Sequence, residues 1–482
     1  MPTTPNAPRQ GSLQGTAVVM LAESLALPAG FAVAAILTRS LGPEGYGSYS
    51  VAATLITTLE WVLLALLSRP TIKFIAEASD WRPVAATTFR AYLGAGLAAG
   101  SAVWLLAGPT AAILRDEALV GHLRLFALEI PVFAAASACR SVLTGLAQFR
   151  QQAVTAAGRW LGRLALIALF VGIGWNVNGA ILGNIGGVMV AWALGQAYVG
   201  RSVLGRPSFP GRELFQLAVP TFLLTLSVRL FDRLGLLALK ALGGSAAQAG
   251  FYGAAQNLLV LSGIVNRSIA PILISTITAS RQTANQAKAK QAATVALRFG
   301  LWMFPFTAIV SGASGEVVEM LFGTAFAEAA PLVAVLIVGA AALVLVAIAS
   351  ALLVALGRPW PAVVLTAPLL PLALLGHVLV VPRLGALGAA LVTTTTALLA
   401  ASLCVLVVCL VWPLSPPVGA IVKSAVVSTA TYAAAAAWPT PGPMLIVKAL
   451  VLSLGVAVAA GAMREFTSRD LAWIRAARRG GT

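Results

Sequence analysis

The sequence predicts an all-α protein that crosses a membrane many times, and three observations carry the prediction. Hydrophobic residues make up 59% of the 482 positions and charged residues only 10%, where a soluble domain has roughly 25% charged residues. The apolar residues come in successive runs of about twenty, the length a helix needs to cross ~30 Å of hydrocarbon. The short polar connections hold Lys and Arg in alternate positions, the bias that orients membrane helices. A soluble protein is excluded. The formal charge of +17 is spread over many connections instead of forming one stripe, so no nucleic-acid partner is expected. Cys139, Cys404 and Cys409 fall inside apolar runs without metal-ligand spacing, so no disulfide, metal or cofactor is expected either.

In chain order, residues 1–12 read as a cytoplasmic tail. The apolar run that follows is too long, and lacks the small-residue site, for a removable signal peptide, so it is expected to remain as the first span. Fourteen spans follow, at roughly 13–38, 47–68, 83–107, 119–147, 151–173, 179–200, 213–240, 248–277, 291–311, 328–356, 360–381, 386–412, 418–437 and 442–463, with ends good to a few residues. Between the first two, Arg39-Ser40-Leu41-Gly42-Pro43-Glu44-Gly45-Tyr46-Gly47 reads as a tight hairpin tip at the membrane surface, because glycine takes positive φ and proline fixes its own.

Cations follow the even-numbered spans. Arg69, Lys73 and Arg82 come after span 2, Arg150 and Arg159 after span 4, Arg201, Arg206 and Arg212 after span 6, and Arg281, Lys288 and Lys290 after span 8. These connections are expected on the cytoplasmic side, with both termini inside.

The chain also repeats itself. Lys240 to Tyr252 echoes the first hairpin tip, Ser350–Gly357 echoes Ser141–Leu146, and Leu387–Leu391 echoes Asn178–Leu182. Spans 1–6 are thereby in register with spans 7–12, and an even repeat gives both halves one orientation, with a substrate site expected between them. The predicted organisation is an N-lobe at 13–200, a cytoplasmic linker at 201–212, a C-lobe at 213–412, accessory spans at 413–463 and a basic cytoplasmic tail at 464–482.

At these residues the chain resembles the bacterial polysaccharide transporters, or Wzx-type oligosaccharide flippases, of the multidrug/oligosaccharidyl-lipid/polysaccharide superfamily. Arg39–Gly47 is similar to that family's first outer hairpin and Arg69–Glu77 to the segment after its second span. Gly250–Ala255 is similar to the start of its span 8, Phe322–Pro331 to the entry into span 10, and Val381–Ala390 to the entry into span 12. The likeness covers residues 13 to about 410. It implies a MATE-like fold of two six-helix lobes around a central cavity, which would move an undecaprenyl-pyrophosphate-linked glycan outward across a bacterial cytoplasmic membrane by alternating access. A glycan polymerase or export complex is an implied partner beside the lipid-linked glycan and the bilayer.

Charges inside the spans mark where function is expected, since one at the bilayer centre costs at least ~2.5–3.5 kcal/mol. Arg229, Asp232 and Arg233 lie at i, i+3 and i+4 in span 7, on one helix face. One acid cannot neutralise two arginines, so the remaining cation suits a pyrophosphate, which arginine grips through paired hydrogen bonds. The competing reading is an internal pair with the second arginine reaching outward.

Arg140 and Arg267 lie in the inner halves of spans 4 and 8, with Arg69 and Lys73 at the expected cytoplasmic mouth. All four are candidates to meet an anion from the inner leaflet, although topology alone accounts for Arg69 and Lys73. Arg90, Arg163 and Arg298 are read as cations reaching back to the cytoplasmic ends of their spans.

Among the acids, Glu23 stands one turn before Pro28 and Gly30, where span 1 can bend. Glu23 and Glu60, with Asp232, are candidates for ion coupling or for structural pairing with an arginine.

The leading reading is a flippase for lipid-linked oligosaccharide. A drug or metabolite antiporter on the same fold is the alternative, which would require a more acidic cavity. An enzyme is not expected, because no long outer loop gathers paired carboxylates or a histidine. A scaffold for a glycan assembly complex is the remaining class.

Overall fold

The computed structural model describes residues 18–200, 205, 230, 231, 233–259, 273, 277, 286–356, 368–412, 414–440 and 442–465. Among them, ten helices are long and apolar enough to cross a membrane. Two of these, Val18–Glu77 with 60 residues and Leu369–Val411 with 43, greatly exceed the ~30 Å of one crossing at 1.5 Å per residue. Each holds two crossings, so twelve spans are accounted for. Spans 7 and 8 fall largely outside the described residues, and the total is compatible with fourteen. The protein is an all-helical multi-pass membrane protein.

The chain divides into two compact units, the first taking in Met1–Arg233 and Ser245–Gly250, the second Leu234–Gly244 and Phe251–Thr482. The first unit opens with α1 (18–24) and α2 (Ala26–Glu77). They are separated at Leu25 because Pro28 has no N–H to offer the carbonyl of Ser24, and Leu25 N bonds Ala22 O instead, at 3.3 Å.

The loop expected at 39–46 is far shorter in the structure. Only Gly42 leaves the helical region within α2, with φ 65° and ψ −179°. A glycine in that left-handed region followed by proline, which lacks the N–H that a helix start leaves unused, ends one helix and begins the next in a single residue.

Then come α3 (Trp81–Ile113), α4 (Leu119–Ala127), α5 (Glu129–Gly145), α6 (Phe149–Gly172) and α7 (Asn176–Val199). Helices α6 and α7 pack backbone to backbone. Gly179, Gly183 and Gly187 recur every four residues on α7 and form a groove: a Cβ on Gly183 would lie 2.6 Å from Ile167 N, and one on Gly187 would lie 2.6 Å from Arg163 Cβ. Small residues at this spacing let membrane helices approach where lipid gives no hydrophobic drive. The same ridge sets Asn184 and Arg163 facing the interior of the unit.

The second unit contains part of α8 (233–241) and of α9 (Ala246–Leu258), then α10 (Gln286–Leu301), α11 (Met303–Gly312), α12 (Ser314–Phe322), a 3-10 turn at Thr324–Ala329 and α13 (Ala330–Ala355). It ends with α14 (Leu369–Val411), α15 (Val418–Ala437) and α16 (Met444–Ala462). Its core joins Ala342, Leu345 and Leu352 of α13 to Ala397, Cys404 and Val408 of α14. Gly385, at φ 54° and ψ −134°, interrupts α14 as Gly42 interrupts α2. The last two helices end within a residue or two of the predicted spans 13 and 14.

Candidate functional site: buried charges and two cavities

In the first unit, helix packing gathers charges that are far apart in sequence. Arg140 on α5 donates from Nη2 to Glu23 Oε1 on α1 at 2.6 Å. The next residue, Ser141, lies 3.1 Å from the Tyr92 hydroxyl and 3.5 Å from Ser68 Oγ. These contacts put residues 68–69 of α2 level with residues 140–141 of α5. Arg69 and Arg140 therefore share a depth in this unit, and Lys73, one turn further along α2, is exposed beside Phe74 with its Nζ 5.5 Å from the ring centroid.

Deeper in the same unit lies a second charged group. Glu129 is 0% exposed and Glu60 4%. Asn184 Nδ2 donates to both Glu129 oxygens at 2.7 Å. Glu60 Oε2 is 3.7 Å from Arg159, while its Oε1 is buried and finds no donor among the described residues.

Arg163 donates to the Tyr49 hydroxyl at 3.2 Å. Its Nε is buried, which corrects the reading of this residue as one that reaches the membrane surface. Position 163 stands fourteen residues into α6, about 21 Å along the axis at 1.5 Å per residue, too deep for the side chain to return. Arg159, one turn earlier on the same face, lies over the Phe133 and Trp160 rings at 5.0 and 5.5 Å. Arg140 and Arg159 both line a cavity of about 60 Å³, together with Phe133, Thr155 and Val188.

Sequence reasoning counted Arg159 as a loop cation. Its four-residue spacing from Arg163 beside Trp160 was the available sign that it lies within the span.

Arg229, Asp232 and Arg267, and with them most of the span 7 triplet, lie outside the described residues; Arg233, on α8, is exposed. Arg90 donates to Gly205 O at 3.2 Å. His377 is buried and its Nδ1 has no partner among the described residues.

The second unit holds a larger, apolar cavity of about 680 Å³, bounded by α11, α13, α14 and α15 through residues such as Phe304, Leu345, Val405, Ile421 and Tyr432. The α15–α16 hairpin beside it is tied at both ends. At one end Glu316 on α12 accepts from Lys448 Nζ at 2.6 Å and from Thr440 N at 2.8 Å, and the Lys448 side chain is 0% exposed. At the other, Glu465 Oε1 accepts from Lys423 at 2.7 Å, and Arg298 donates to the Glu465 carbonyl at 3.4 Å. Between them Ser424 Oγ donates to Leu301 O at 2.7 Å.

A family model described as polysaccharide biosynthesis protein matches residues 12–277, more than half of the chain. The chain belongs to the polysaccharide biosynthesis protein family. The matched stretch contains all the charged residues of the first unit described above. No curated protein matches the sequence.

Among solved structures, the lipid II flippase MurJ in an inward closed conformation is similar at a TM-score of 0.75 and 13% identity, over 94% of this chain and 99% of that one. An inward-facing multidrug resistance MATE family transporter of the MOP superfamily gives 0.68 and 16%, over 87% and 98%. A MOP superfamily transporter from Pyrococcus furiosus gives 0.51 and 15%, over 89% and 99%. At these identities the likeness establishes the fold of this polysaccharide biosynthesis family member as MATE-like.

Proposed function

We propose that the chain is a flippase that carries an undecaprenyl-pyrophosphate-linked oligosaccharide from the inner to the outer leaflet of a bacterial cytoplasmic membrane, by alternating access of its two lobes and with both termini in the cytoplasm. The observation that carries this reading is the pair Arg140 and Arg159 lining one cavity inside the membrane spans, with Arg69 at the depth of Arg140, in a member of a polysaccharide biosynthesis family. Guanidinium groups in a low-dielectric site suit phosphate oxygens, which they bind in a two-pronged geometry. The apolar cavity of the second unit supports the same reading, since an isoprenoid tail needs a surface of that character. Arg229, Arg233 and Arg267 remain proposed pyrophosphate ligands, and Asp232 a proposed charge partner. A glycan polymerase or export complex would receive the product.

The test is glycan export in cells lacking the chain, complemented with wild type or with Arg140→Ala, Arg229→Ala, Arg233→Ala or Arg267→Ala at matched membrane levels. We expect lipid-linked oligosaccharide to accumulate on the cytoplasmic face without the chain. Wild type should clear it and the arginine variants should not. Rescue by every variant would leave transport standing and remove the anion site.

The antiporter reading draws on the buried acids Glu60 and Glu129. It takes over if deletion leaves the lipid-linked intermediates unchanged while sensitivity to organic cations rises.

A further inference from the structure

Each arginine of the first unit's cavity is already engaged. Arg140 holds Glu23 at 2.6 Å and Arg159 faces Glu60 at 3.7 Å. Arg163, one turn from Arg159, donates to the Tyr49 hydroxyl at 3.2 Å. A diphosphate arriving here finds both cavity arginines already paired with acids. The cavity they line is small, about 60 Å³.

We propose that Glu23 and Glu60 are internal competitors for the ligand's diphosphate, each occupying the arginine that the diphosphate takes over when it binds. The inference rests on the flippase reading and adds the regulation of its anion site. The exchange is physically balanced. The Arg140–Glu23 pair is 41% and 33% exposed at its two side chains, and such pairs contribute only ~0–1 kcal/mol, while arginine binds phosphate through parallel charge-assisted hydrogen bonds. The displaced carboxylates stay within reach and repel the anion they have admitted. They hold its affinity below what bare arginines would give, so the ligand can leave again.

The test uses the full chain in detergent micelles and farnesyl diphosphate as the probe, with neutral farnesol reporting on the tail alone. Glu23→Gln should bind the diphosphate about three- to tenfold more tightly than wild type, the scale of one part-exposed ion pair, and Glu60→Gln, whose pair is largely buried, should tighten it at least as much. Arg140→Ala and Arg159→Ala should bind it at least about tenfold more weakly. Farnesol binding should not change. Arg82→Gln, an exposed cation outside the cavity, controls for charge.

If the arginine variants weaken binding while the glutamine variants match or fall below wild type, the anion site stands and the competition is wrong. If neither wild type nor any variant binds the diphosphate, the anion site itself falls and the competition with it. A glutamine variant that fails to fold is replaced by infrared difference spectra of wild type. Carboxylate stretching bands should move when the diphosphate is added, and bands that stay in place overturn the proposal.

Discussion

Asn184, a neutral side chain, donates to both oxygens of Glu129, an acid of the first unit that is 0% exposed. Its replacement by leucine leaves a buried carboxyl group without that donor, at a cost of about 1–3 kcal/mol. The expected outcome is a clear drop in the thermal unfolding temperature in detergent, while Arg82→Gln leaves it unchanged. Such partnerships were illegible in the sequence for a physical reason. Glu23, Glu60 and Glu129 are conspicuous as acids in apolar runs, but their partners lie elsewhere in the chain: Asn184 is 55 positions from Glu129, and Arg140 is 117 from Glu23. Tertiary packing chooses among all the polar groups at one depth, and spacing along one helix carries no record of that choice. The span 7 triplet was easier to notice because its residues share one helix face.

At the level of helices, hydropathy located most spans within a few residues, since crossing length is imposed by the bilayer. It misjudged the joints. A glycine-rich polar stretch reads as a loop, yet Gly42 alone breaks α2 and Gly385 alone breaks α14. Gly42→Ala forces a Cβ into φ 65° and ψ −179°, a region essentially reserved for glycine, and should cost about 1–3 kcal/mol. The glycine ridge of α7 makes a second demand. Gly183→Ala and Gly187→Ala place a methyl against the α6 backbone, an overpacking worth about 1–3 kcal/mol. Gly455→Ala on α16 meets nothing within 4 Å and should be neutral or slightly stabilising, since alanine is the better helix former. Ranking the four by unfolding temperature checks the assignment: loss at Gly42, Gly183 and Gly187, none at Gly455. The ridge was present in the sequence as Gly179, Gly183 and Gly187, but glycine is frequent in membrane helices, and the spacing becomes meaningful only beside a partner helix.

For the molecule as a whole, composition alone gave the class, because a chain with 10% charged residues cannot be clothed in water. The cavities were another matter. The apolar one is bounded by four helices whose residues, singly, look like any lipid-facing surface, and only their assembly separates a recess from a wall. The accessory helices likewise read as featureless, yet Lys448 is fully buried against Glu316. Removing one partner of such a pair is more damaging than removing both. Lys448→Met should therefore lower the unfolding temperature by more than the double variant Lys448→Met with Glu316→Leu, and equal losses would mean that the pair contributes nothing.

The two tethers of the α15–α16 hairpin, Lys448 to Glu316 of α12 and the Glu465 carbonyl to Arg298 of α10, make it a passenger of α10–α12. Whatever the second unit does during a working cycle, the shell of lipid resting on this hairpin is carried along with it, so any such movement is also work against the bilayer. Spin labels on α10 and α16 should keep one separation with and without farnesyl diphosphate, and activity should vary with the thickness and stiffness of the host membrane.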